Sequence, residues 1–258
     1  MYPINLSKKT ALVFGVANHR SIAWSIAKTL HSAGANLILA YQNERLKENL
    51  SKITEGLPNV SLFECDVSSD ENIEELYNQI NKKFDSIDYI VHSIAFANRE
   101  DLSGEFINTP RKGFLTALEI SAYSLIPVAR LGSHLLEKNG GSIITMTFQA
   151  SERVFPGYNV MATAKSALEN SVKNLAYDLG KKQIRINAIS AGPLDTLSSR
   201  VISGYKDMKT YNANKAPLQR NITFEEVANT ALFLCSDLST GITGEIIHVD
   251  AGYNIMGI

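Results

Sequence analysis

The feature that most constrains this chain is an alternation. Short runs that are apolar on both sides are each followed by a longer stretch with apolar residues at helical spacing. Thr10-Ala11-Leu12-Val13-Phe14 is the first such run, and comparable ones recur to the C-terminal end. A strand that is apolar on both faces must be covered on both faces, and a parallel neighbour needs a crossover, usually a helix, to reach it. The pattern predicts strands over 10–14, 36–40, 60–64, 89–91, 142–146, 184–189 and 245–249. It predicts helices over 21–33, 43–54, 71–84, 114–136, 160–179 and 224–235. Thr223, followed three residues later by Glu226, marks a capped start for the last of these. The expected fold is α/β, a single-domain Rossmann-like doubly wound parallel sheet with helices on both faces, spanning 1–258.

Composition narrows the function classes. With 258 residues, 45% of them apolar, the chain can bury one large core without disulfides or a structural metal. Cys65 and Cys235 lie far apart beside apolar segments, which predicts buried thiols and no metal site. A formal net charge of -1 provides no basic footprint for nucleic acid and no polybasic membrane anchor. The start, Met1 to Lys9, lacks the pattern of a secretion signal, and no apolar run reads as long enough to span a bilayer, so a cytoplasmic protein is expected. No repeat or linker divides the chain. The polar stretch 195–217, which carries two tyrosines and Met208 after Gly192-Pro193, reads as either a lid over a binding site or a surface excursion.

Gly15 follows the first strand and leads through Val16-Ala17-Asn18-His19-Arg20 to Ser21 and Ile22, where a helix is due. Such a turn suits a pyrophosphate, because amide groups and the helix dipole face the anion. Gly15 alone remains of a G-x-G-x-x-G pattern, and Ser21 stands where a later glycine is expected. Gln42, at the end of the second strand, occupies the place of the residue that meets the adenosine ribose. An amide can bond a hydroxyl there but brings no charge to a 2′-phosphate, although Arg45 and Lys47 are near in sequence. Asp66, after the third strand, reads equally as an adenine-rim residue, a helix N-cap or a turn acid.

The segment from Arg153 to Lys165 carries the most chemistry. Tyr158 and Lys165 are seven apart, two turns along one face if both are helical. A phenol beside an ammonium is a candidate acid, since the positive charge lowers the hydroxyl pKa; a Tyr and a Lys on a half-exposed helix is the plain alternative.

Five segments stand out in order along the chain: Gly15-Val16-Ala17 with Arg20-Ser21-Ile22-Ala23-Trp24, Val91-His92-Ser93-Ile94-Ala95-Phe96-Ala97, Tyr158-Asn159-Val160-Met161, Asn187-Ala188-Ile189-Ser190-Ala191-Gly192-Pro193 and Phe233-Leu234-Cys235-Ser236-Asp237-Leu238. Together they resemble the enoyl-[acyl-carrier-protein] reductases of the short-chain dehydrogenase/reductase superfamily. The Tyr-x6-Lys spacing resembles this branch and not the Tyr-x3-Lys of most relatives. The resemblance implies reduction of the C2–C3 double bond of a trans-2-enoyl thioester by NADH, with NADPH possible, in fatty-acid biosynthesis. The acyl group would be carried by acyl carrier protein or coenzyme A, and the enzyme would be a homotetramer.

Position by position, the resemblance implies that Tyr158 bonds the thioester carbonyl and Lys165 the nicotinamide ribose. Ser93 and Ile94 would line the ribose and nicotinamide, Leu194 and Thr196 the nicotinamide and pyrophosphate, and Asp66 and Val67 the adenine. Gly15, Ser21, Ile22 and Gln42 would take the remaining nucleotide contacts, with Ala97 and Phe148 beside Tyr158 on the substrate side. The chain departs from the family pattern at Phe148, where a second tyrosine is usual, at Asp195, where a carboxylate beside a pyrophosphate is unfavourable, and at Ala95 and Ala251, where glycines are expected. Two alternatives remain: a reductase of ketones or 3-oxoacyl thioesters, and a nucleotide-binding sensor or assembly partner without catalysis.

Overall fold

A computed structural model describes residues 4–197, 199 and 204–257. Seven strands form one parallel sheet: β1 Thr10–Phe14, β2 Asn36–Tyr41, β3 Val60–Glu64, β4 Tyr89–His92, β5 Gly141–Thr147, β6 Ile184–Ala191 and β7 Ile246–Val249. Their order is β3-β2-β1-β4-β5-β6-β7, with every pair parallel. The strands fall where the apolar runs predict them because period-two alternation sends successive residues to opposite cores. Ala11 and Val13 of β1 join one core, Leu12 and Phe14 the other.

The first core is covered by α1 Ile22–Ser32, α2 Glu44–Ile53 and α8 Phe224–Cys235, through residues such as Ile26, Leu50 and Leu234. The second is covered by α3 Asp70–Asn81, α5 Leu125–Leu136 and α6 Asn159–Gly180, through Ile73, Val128 and Leu168. The capping box at the start of α8 is present, with Thr223 Oγ1 accepting from the Glu226 amide at 3.2 Å and Glu226 Oε2 accepting from the Thr223 amide at 2.8 Å. Cys65 and Cys235 are free and buried, and burial pushes the Cys65 thiol up to about 12.

Two sequence expectations are corrected here. The helix expected over 114–136 begins earlier, as α4 Arg111–Leu118 after Pro110, and is interrupted by a π-helical turn at Glu119–Tyr123 before α5. Counted through that turn, Arg111–Leu136 has the length and hydropathy of a membrane span, against the expectation that no run would. Its apolar residues Leu125, Val128, Ala129, Leu135 and Leu136 are packed into the second core. Within 195–217, α7 Tyr205–Lys215 forms a regular helix. Positions 198 and 200–203 of that stretch lie outside the described residues, as do residues 1–3.

Strand order reverses between β1 and β4, so the loops leaving their C-terminal ends part and open a crevice. The site lies there.

Candidate functional site

A cavity of about 610 Å³ opens at that crevice, and every candidate site residue read from the sequence lines it. At the nucleotide end, Gly15 has φ +91°, and a Cβ there would stand 2.0 Å from the Ser93 carbonyl oxygen. No side chain fits, because the exits of β1 and β4 touch through backbone. Ser21 is buried, and its Oγ accepts from the amides of Ala17 and Asn18, both at 3.0 Å. Those two amides are therefore turned toward Ser21, which corrects the picture of a turn with all its N–H groups free. The amides of Ile22 and Ala23, at the start of α1, have no partner among the described residues. Having accepted two bonds, the Ser21 hydroxyl still has its own proton to give.

At the ends of β2 and β3, Gln42 Nε2 donates to Asp66 Oδ2 at 3.0 Å. Asp66 Oδ1 accepts from the Ser68 amide at 3.0 Å and the Ser68 hydroxyl at 2.8 Å, so Asp66 is a turn acid as well as part of the wall. The N-cap of α3 is Ser69. Burial would raise the Asp66 carboxyl, but the bonds from Ser68 and Gln42 outweigh it and hold the group below its ordinary range. Lys47 is tied to Glu44 at 3.2 Å and lies 6.0 Å from the centre of the Tyr41 ring; neither it nor Arg45 lines the cavity.

At the chemical end, Tyr158 is not a helical residue two turns before Lys165. It is the residue before α6, and Asn159 takes φ +36° as the chain enters the helix. Both side chains nevertheless reach the same cavity. Lys165 is buried, and its Nζ donates to the Met146 carbonyl at 2.7 Å. Phe148 packs on Tyr158 with ring centres 5.1 Å apart and on Phe155 at 4.8 Å. The expectation that Lys165 lowers the Tyr158 pKa is overturned. Desolvation pushes the phenol upward, the Tyr205 phenol adding to it, while burial pushes Lys165 down to about 8 against the opposing charge of Glu169. Tyr158 is thus a protonated donor at neutral pH.

The cavity also draws on residues that the sequence reading missed. Tyr205 and Met208 reach it from α7, and Leu102, Ile120 and Met161 supply apolar wall. For Tyr205 and Met208 the signal was present only as the aromatic and methionine content of the polar stretch 195–217. Tyr205 Oη donates to the Leu194 carbonyl at 2.6 Å, and Lys209, one turn on, pairs with Asp195. Asp195 therefore points to solvent and its helix partner. Ala251 holds φ +60°, the left-handed conformation a glycine would take freely.

Ile22, Ser21, Gln42 and Lys165 form a donor set that fits a dinucleotide: amide and hydroxyl donors at a helix start, an amide at the second strand end, an ammonium at the far end. Fold and site together define a dinucleotide-dependent reductase of the short-chain type. The family described as Enoyl-(Acyl carrier protein) reductase matches residues 15–254. The NADH-dependent enoyl-[acyl-carrier-protein] reductase of Nostoc sp. is 48% identical, covering 99% of this chain and 100% of its own. The NADPH-dependent enzyme of Staphylococcus aureus is 47% identical, covering 97% and 98%. A crystal structure of the Bacillus cereus enoyl-acyl carrier protein reductase with NADP+ and an indole naphthyridinone superposes with a TM-score of 0.96 at 48% identity, covering 99% and 100%. The chain belongs to the enoyl-[acyl-carrier-protein] reductase family of the short-chain dehydrogenase/reductase superfamily.

Proposed function

We propose that this chain reduces the C2–C3 double bond of a trans-2-enoyl thioester on acyl carrier protein, with NADH as reductant, in fatty-acid biosynthesis. The observation that carries the reading is the Tyr158 phenol in the same cavity as the buried Lys165, beside an apolar wall. Tyr158 donates to the thioester carbonyl and stabilises the enolate oxygen where charge develops. Lys165, with one N–H committed to Met146, directs the other two to the nicotinamide ribose. Ser93 and Ile94 line the ribose and nicotinamide. The Ile22 amide and Ser21 hydroxyl hold the pyrophosphate, bordered by Leu194 and Thr196. Gln42, its N–H given to Asp66, offers its carbonyl oxygen to an adenosine ribose hydroxyl, while Asp66 and Val67 flank adenine. When bound, the nicotinamide supplies the hydride at the β-carbon. Ala97 and Phe148 flank the acyl group, and 195–217 acts as the lid.

The protein works as one domain in the cytoplasm, as a homotetramer. An apolar groove lined by Leu115, Leu118, Ala122, Tyr123 and Ile126 supports assembly and is tested by sedimentation. NADH is preferred because Gln42 offers no charge to a 2′-phosphate and Lys47 is engaged elsewhere.

The test is nicotinamide absorbance with crotonyl and acetoacetyl thioesters, each with NADH and NADPH. Turnover of the crotonyl substrate with NADH is expected to exceed the other three. Faster turnover of acetoacetyl thioester would overturn the reaction, and a tenfold preference for NADPH, about 1.4 kcal/mol, would overturn the cofactor assignment.

A further inference from the structure

One buried acid has no part in the reaction as described. Glu169 lies one turn after Lys165 on α6, so the two side chains share a helix face. Both are buried, Lys165 at 4% exposure and Glu169 at 9%. Two consecutive residues of β5 hold them: the Met146 carbonyl accepts from Lys165 Nζ at 2.7 Å, and Thr147 Oγ1 donates to Glu169 Oε1 at 2.5 Å. Glu169 and Lys165 form no direct ion pair among the described residues.

We infer that Glu169, tethered by Thr147, is a positioning residue that keeps Lys165 charged while leaving its ammonium free to face the cavity. The inference rests on the reading of Lys165 as the residue that holds the cofactor ribose.

A direct Lys165–Glu169 pair would stabilise the charge but draw Nζ along the helix, away from the cavity. A carboxylate held back by a hydroxyl still acts on the ammonium, because Coulomb attraction in a poorly screened interior falls only inversely with distance. Glu169 raises the Lys165 pKa against burial, which leaves it at about 8. The other titratable groups around Lys165 carry no opposing charge. His92 on β4, its ring nitrogens on Thr145 Oγ1 at 3.1 Å and Ser124 Oγ at 2.8 Å, is pushed down to about 3 by burial and then by the Lys165 charge, so it is neutral. The phenols of Tyr158 and Tyr205, across the same cavity, are pushed upward and also neutral.

Two variants should move Lys165 in opposite directions. Loss of the carboxylate in Glu169→Gln lowers the pH at which Lys165 loses its proton. Loss of the tether in Thr147→Val frees the carboxylate to approach the ammonium and raises that pH. The readouts are the Lys165 Nζ resonance of the cofactor-free protein through a pH titration, and NADH affinity by fluorescence from pH 6 to 9.5. The ammonium is charged below its pKa, so wild-type affinity should fall as pH rises through about 8. With a downward shift of about one unit, Glu169→Gln should bind NADH about fivefold more weakly at pH 8 and within about twofold of wild type at pH 6. Thr147→Val should bind more weakly across the whole range, since its ammonium is charged but misdirected.

Lys165 titrating at one pH in all three proteins would overturn the inference. If Glu169→Gln does not fold by circular dichroism, Thr147→Val decides alone, and the absence of an upward shift there overturns it. If Lys165 titrates as expected in both variants but NADH affinity does not follow, the charge assignment to Glu169 stands and the ribose role of Lys165 falls.

Discussion

The two ends of the cavity are built in different ways. At the nucleotide end the geometry rests on backbone: Gly15 against the Ser93 carbonyl, and the amides of Ala17 and Asn18 turned onto the buried Ser21 Oγ. At the α7 end it is set by two side-chain contacts, Tyr205 to the Leu194 carbonyl and Lys209 to Asp195. Of the eleven residues of α7, Asn212 alone is buried. Backbone geometry is shared with the sheet core and opens only with it, whereas side-chain latches on an exposed helix open locally. In the proposed reading, the difference lets a rigid cofactor seat be combined with a cover that moves independently.

Breaking the rigid end should have the largest effect. Gly15→Ala forces a Cβ onto backbone at positive φ, and overpacking with left-handed strain should cost about 4 kcal/mol, roughly a thousandfold, divided between stability and NADH affinity. Urea unfolding and NADH titration measure the two parts; an unchanged variant would show that the β1–β4 contact is not rigid. Tyr158→Phe should come next, lowering kcat about a hundredfold while leaving NADH affinity near normal. Full activity would remove Tyr158 from the chemistry.

Opening the latches should do less. Tyr205→Phe combined with Lys209→Ala should raise KM for the enoyl thioester about fivefold, since one neutral hydrogen bond and one partly exposed ion pair are lost. NADH affinity should change by less than about twofold, and hydrogen exchange should speed up in α7 and not in α1. Equal changes at both ends would erase the distinction. Phe148→Tyr should be smallest of all, well under tenfold in kcat, if Tyr158 already makes the transition-state bond as proposed. A larger gain would mean that the substrate end lacks a hydroxyl it needs.

The same contrast explains what could be read from the chain alone. All seven strands were legible to within two residues, most plainly where burial on both faces leaves an apolar run, as at Thr10–Phe14 and Tyr89–His92. The helix α7 was not legible as a regular element: it has no apolar stripe, and its contacts reach residues eleven and fourteen positions back, at Leu194 and Asp195. The residues of the site were legible as identities and not as geometry. Tyr158 and Lys165 share the cavity as their spacing suggests, but the tyrosine stands outside the helix, and its pKa is governed by desolvation, which a linear pattern does not record. Gly15 was visible as a turn glycine, yet the Ser93 carbonyl that excludes every other residue lies just past the end of β4, 78 positions away in the numbering.

The π-helical turn at Glu119–Tyr123 acts as a one-residue phase shift. The bond from the Ser124 amide to the Glu119 carbonyl, at 3.1 Å, spans five residues where an α-helix spans four. Within the turn itself, the Ser121 hydroxyl meets the backbone of Phe96 on both its amide, at 2.9 Å, and its carbonyl, at 3.0 Å. Downstream, Leu125, Val128 and Ala129 point into the second core. Excising any single residue of the turn would restore the α period and rotate everything after it by about 100° relative to everything before. Either the clamp on Phe96 or the core face of α5 would then be lost, so the length of this segment is fixed more tightly than the identity of most residues in it.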